Sequence, residues 1–124
     1  MDVKLQNFKL MVLIFLLFPG EGIKAQGIFF SAIDDLPLMI GLSEVEGETM
    51  VFESSSGRIV EVLSSGEVTR QQVIWFYSET LPQLGWVETT PGNFKRENEA
   101  LKIEFLPSAT REPINVRFVL FSIQ

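Results

Sequence analysis

The chain has 124 residues, a formal net charge of −6, and neither histidine nor cysteine. That length suits one domain, and a 46% hydrophobic content is enough for a packed core. The missing side chains exclude disulfides, nucleophile systems built on imidazole or thiol, and the usual zinc, copper and iron ligands, while the acidic balance disfavours nucleic acid, whose phosphates it repels.

The first distinct feature is the run LMVLIFLLF at residues 10–18, with Lys4 and Lys9 before it and Pro19, Gly20 and Gly22 after it. A basic stretch, an apolar stretch and a helix-breaking stretch in that order form the layout of a secretory signal. A nine-residue helix rises only about 14 Å, against about 30 Å of hydrocarbon in a bilayer. Residues 1–25 are therefore expected to be a signal peptide, cleaved after Ala25, and the chain to act in the periplasm or as a secreted protein. The alternative is an uncleaved membrane anchor through residues 10–18, the one case in which the chain would contact a membrane. Extending that anchor to Ile28, Phe29 and Phe30 places Glu21 and Lys24 in lipid, which is costly. After removal of the signal, fourteen acidic and seven basic residues leave a net charge near −7.

Residues 26–47 form an irregular apolar arm. Asp34, Asp35 and Pro37 interrupt any helix, and Pro37 restrains Leu36 to extended conformations. The arm is expected to be extended and to carry Leu36, Leu38, Met39, Ile40 and Leu42 onto a single domain at residues 48–124. Two β-prone segments follow, ETMVFE at 48–53 and RIVEVL at 58–63, joined by the turn-forming Ser54-Ser55-Ser56-Gly57, so a hairpin is expected.

The helix signal is the clearest in the chain. Thr69 suits an N-cap, Gln72 three residues on completes a capping box, and Val68 with Val73 makes a hydrophobic staple. Val73, Phe76, Tyr77, Leu81 and Leu84 recur at helical spacing and define a core stripe. Gly85 is placed to close the helix in a left-handed cap, and Pro82 predicts a kink or a tightened last turn between Ser78 and Pro82.

Three strand candidates complete the chain. Residues 86–89 lead through the turn Thr90-Pro91-Gly92-Asn93 into 94–96. Residues 101–106 alternate, with Leu101, Ile103 and Phe105 on one side. Residues 114–123, INVRFVLFSI, are apolar on both faces, which fits a central or covered strand. The order is β-β-α-β-β-β with hairpin-length loops. The expected class is α+β, one amphipathic helix on an antiparallel sheet.

For chemistry, the carboxylates, Lys95, Lys102 and Tyr77 are what is left. Asp34 and Asp35 are neighbours in a loop, where side chains diverge. Glu44, Glu46 and Glu48 would share one side of an extended segment and could approach a calcium ion, yet they lack the Asp, Asn and Gly of a calcium loop. The bland alternative is a solvated edge that resists strand-to-strand aggregation. Ser54, Ser55 and Ser56 have no base beside them, and no glycine-rich phosphate cradle exists. No catalytic, cofactor-binding or metal-ligating residue is assigned, and no cofactor is expected.

Trp75 does not fit the core stripe. With Val73 at zero and about 100° per residue, it falls near 200°, among polar residues. An exposed tryptophan there suggests an anchor for a partner; the alternative is that the apolar arm, Ile28 to Leu42, folds over the helix and covers it. Trp86, after Gly85, is expected in the core.

The stretch from Phe76-Tyr77 through Leu81-Pro82 to Leu84-Gly85-Trp86, with the hairpin Val51-Phe52-Glu53 and Gly57-Arg58-Ile59-Val60-Glu61 before it, resembles small uncharacterised exported bacterial proteins over the middle third of the chain. The resemblance implies an envelope-located domain and supplies no site residue. The functional expectation is a non-catalytic binding or interaction module with an envelope protein partner. The alternatives are a carboxylate enzyme acting on envelope saccharide through residues such as Asp34, Asp35 or Glu44, and a membrane-tethered accessory subunit.

Overall fold

A computed structural model describes residues 28–108 and 112–123. The signal-peptide expectation, with its cleavage after Ala25, lies outside the described residues. Among those described, no helix is long and apolar enough to cross a membrane.

Seven strands and one helix follow in the order β1 (Leu42–Glu44), β2 (Met50–Ser54), β3 (Gly57–Gly66), α1 (Arg70–Thr80), β4 (Val87–Thr90), β5 (Asn93–Arg96), β6 (Glu99–Phe105) and β7 (Ile114–Ile123). The fold is α+β. All strand pairs are antiparallel, in the spatial order β1-β3-β7-β6-β5-β4, with β2 also on β3. The ten residues of β3 make this possible: Gly57 to Glu61 pair with β2, Ser64 to Gly66 pair with β1, and the full length pairs with β7 along the opposite edge. The Ser-rich turn joins β2 to β3, and the segment 86–96 resolves into the hairpin β4–β5.

Strand β1 arises within the predicted arm. Its three residues carry little propensity of their own; they are extended because β3 offers them a ladder. At this seam a side chain on Gly66 would collide with the Gly41 carbonyl oxygen, so close approach of the two backbones requires glycine there.

Capping starts the helix as its sequence dictates. The Gln72 amide donates to Thr69 Oγ1 at 3.0 Å, and the Thr69 amide donates to Gln72 Oε1 at 2.9 Å. Its end is set by Pro82, which turns the last residues, Leu81–Leu84, into a 3-10 turn closed by Gly85 at φ 92°. That tightening corrects one expectation. A 3-10 turn advances about 120° per residue, so the 100° wheel fails beyond Thr80 and Leu84 leaves the core stripe for solvent. Val73, Tyr77 and Leu81 are fully buried, and Phe76 is partly so.

One face of the sheet carries the core: Val60, Val62 and Ser64 of β3, Val116, Phe118 and Leu120 of β7, Leu101 of β6 and Phe94 of β5. Ser64 satisfies its hydroxyl by donating to the Val116 carbonyl at 3.1 Å. Helix and arm lie side by side over this face and meet above Phe118, whose ring is 4.9 Å from that of Phe30 and 5.0 Å from that of Tyr77. The arm is not extended as predicted. It folds back on itself through a bridge between Phe29 and Pro37 and hydrogen bonds from Phe30 to Leu36 and from Leu38 to Ile28. Folding back allows Phe30, Ile33 and Leu36 to enter the core together.

Candidate functional site

Tyr77 determines where the arm lies. Its hydroxyl donates to the Pro37 carbonyl at 2.7 Å and accepts from the Met39 amide at 3.2 Å. Burial pushes the phenol well above its ordinary pKa, against a smaller downward pull from the Met39 hydrogen bond. A neutral hydroxyl with both roles filled is a structural pin, not a proton-transfer group. It holds residues 37–39 against the inner side of the helix, so the arm stops short of the outer side.

Trp75 is left open as a consequence. It is 66% exposed, and Ile40 next to it in space is 86% exposed. Met39, Ile40, Val68, Gln72, Trp75 and Phe76 border a shallow, open groove of about 720 Å³ between arm and helix. Ile74 is exposed on the same helix. The alternative in which the arm covers Trp75 is thereby excluded: the arm contributes Ile40 and Met39 to the rim and roofs nothing. Ile40, expected to pack onto the domain with the other apolar residues of the arm, faces solvent instead, and Ile74 was not singled out by sequence. The wheel did carry a signal for Ile74, which falls about 100° from Val73, outside the core stripe. Nothing local marks Ile40, whose exposure follows from the Tyr77 pin.

The carboxylates are engaged separately. Asp35 Oδ2 lies 2.7 Å from Arg96 Nη2, and Glu44 Oε1 accepts from both the amide and the hydroxyl of Ser31. Asp34 is exposed. The calcium reading of Glu44, Glu46 and Glu48 also loses its geometry: β1 ends at Glu44, and the chain turns at Glu46 and Gly47, so the three do not share one extended face. Among the described residues no group of three or more acidic side chains is placed to hold a metal ion.

Trp86 is buried as expected, with the Arg96 guanidinium 4.3 Å above its ring. Arg96 was not singled out by sequence, yet it joins four parts of the molecule. It reaches Asp35 in the arm, Glu99 of β6 at 2.9 Å and the Leu84 carbonyl at 3.0 Å, besides Trp86. Burial alone would lower its pKa; hydrogen bonds and charge from Glu99 and Asp35 outweigh that and raise it. A guanidinium held this way is a brace between arm, helix exit and sheet.

A second, narrower groove of about 230 Å³ runs between the helix and the β4–β6 strands, over Val73, Ile74, Phe94 and Ile103, with Ser78 hydrogen-bonded to Glu88 across it. Its floor is apolar and it holds no convergent polar set. No family model, curated protein or solved structure matches the chain.

Proposed function

We propose that this chain is a non-catalytic interaction module acting outside the cytoplasm, where it binds a protein of the cell envelope through the apolar surface around Trp75. The observation that carries the reading is the exposure of Trp75 beside Ile40, on a helix whose inner side is fully used by the core. Large aromatic side chains dominate binding energy when a partner desolvates them, and the groove beside Trp75 offers room for a side chain from that partner. Supporting the non-catalytic part, Asp35 and Glu44 are each tied to a structural partner instead of facing a second carboxylate. The placement outside the cytoplasm rests on the sequence of residues 1–25.

The experiment is photocrosslinking from position 75 in intact cells, paired with Trp75→Ala. The expected result is a specific adduct at position 75 and one at position 72 on the same surface, the second lost in the Trp75→Ala background while the melting temperature stays unchanged. An unchanged set of adducts in that background rejects the surface. Mass spectrometry of the native N-terminus tests the location separately: a chain beginning at Gln26 supports export with cleavage, and an intact Met1 supports the tethered alternative.

A further inference from the structure

The back of the sheet is unaccounted for by the core or by the Trp75 surface. Register places Phe52, Ile59, Phe121, Ala100 and Lys95 in one row across this face, and Met50, Glu61, Val119, Lys102 and Asn93 in the next. Phe52, Met50, Phe121 and Ile123 are all substantially exposed, with Phe52 at 52%. A central strand that is apolar on both sides, with only one side covered by the described residues, is incomplete as a core element.

The charges on this face have a pattern. Arg117, which the register places on this face, pairs with Glu104 of the neighbouring strand. Lys95 and Lys102 join no salt bridge among the described residues, and neither does Glu61. Glu61 lies on one flank of β7 and Lys102 on the other, in a single row with Val119 between them.

We infer that this face is the contact between two copies of the chain, related by a two-fold axis running along β7. Such a rotation lays β6 of one copy over β3 of the other, and β5 over β2. Glu61 then stands opposite Lys102 of the second copy, twice over, and Val119 and Phe121 meet their own counterparts. Phe52 falls on a trough of about 510 Å³ bordered by Lys95, Ala100, Lys102 and Phe121, so an exposed aromatic knob meets a recess. Arg117 would also approach its counterpart, but Glu104 lies beside it, 4.0 Å away, and stacked sheets cross at about 30°, which separates the ends of the strands. With a spacing of about 4.8 Å between strands and about 3.3 Å per residue, β2 to β7 project roughly 600 Å². Side-chain relief increases this toward the roughly 800 Å² per partner of a standard stable interface. The second copy is thus an occupant matched in charge, shape and area.

The test is sedimentation equilibrium of the full chain as recovered from expressing cells, at micromolar to hundred-micromolar concentration. The wild type is expected to dimerise, Phe121→Asp to be monomeric with an unchanged near-ultraviolet circular dichroism spectrum, and Lys102→Glu to weaken association at least about tenfold. Adding Glu61→Lys to Lys102→Glu restores most of it, because the swap re-creates both pairs. That rescue also separates this interface from association through the apolar run at residues 10–18, which neither substitution touches. A monomer throughout the range overturns the inference, whether the face is covered by residues 1–27 or takes an unrelated protein. A dimer indifferent to Phe121→Asp and Lys102→Glu overturns it equally.

Discussion

Phe118 and Phe121 stand three residues apart on the same strand, and the pleat sends them to opposite sides of the sheet. Phe118 is wedged between the Phe30 and Tyr77 rings and has no contact with water; Phe121 lies on the face that no other described element covers. One residue is part of what makes the chain fold and the other is part of what the fold presents. Identity and local sequence are nearly the same for the two, so the difference belongs to the elements stacked above them. Helix α1 and the folded arm choose one side of β7 and leave the other.

Truncation is the sharpest way to break that comparison. Phe118→Ala removes a fully buried ring and is expected to cost about 3–5 kcal/mol, seen as a large loss in the urea midpoint, whereas Phe121→Ala in dilute solution is expected to cost less than about 1 kcal/mol. Equal costs would mean that the back face is covered in solution. Next in size is Tyr77→Phe, which strands the Pro37 carbonyl and the Met39 amide beneath the arm. A loss of about 1–3 kcal/mol is expected at neutral pH.

This substitution also carries a pH signature. The folded phenol titrates above its unfolded value, so the stability it contributes is intact below about pH 10, the unfolded pKa, and is lost as the pH rises toward the folded one. Wild type and Tyr77→Phe should therefore converge in alkaline solution. Since Tyr77 is the only tyrosine in the chain, its absorbance titration reads that group alone. Arg96→Met is expected to cost about 1–2 kcal/mol, less than full charge-assisted bonds would give because Asp35 is half exposed. Protease accessibility of residues 28–40 should increase with it, since the brace to the arm is gone. The smallest effect is expected at the helix start, where Thr69→Ala removes one half of the capping box for about 1 kcal/mol. Calorimetry of that variant tests whether the covered side depends on the cap as well as on the core.

The helix, the Ser-rich hairpin and the two-sided character of β7 could be read from residues because each is set within a window of about a dozen positions. Thr69 and Gln72 meet because they are three apart, and Val60 and Val62 share a face because strands alternate. Trp75 could be placed on the outer side for the same reason. The parts that could not be read depend on distant partners. Leu42, Ser43 and Glu44 are a strand because residues 64–66 lie beside them. The arm folds back because Tyr77 and Arg96, some forty to sixty positions away, bind Pro37, Met39 and Asp35. Leu84 was misplaced by a local cause whose consequence was not followed: Pro82 was expected to tighten the turn, and a tighter turn changes the angle at which every later side chain emerges.

The position of β7 has a consequence for how the molecule is assembled in time. The longest ladder joins residues 57–66 to residues 114–123. Before the latter are available, the nascent polypeptide has the partners for two separate strand groups, β1 and β2 on β3 and the β4–β5–β6 ladders, but nothing to join them into one sheet. Closing that long loop is slow on the scale set by contact order, so the keystone is laid last. Two half-sheets thus wait on one shared strand, and a substitution that slows the docking of β7 delays both at once.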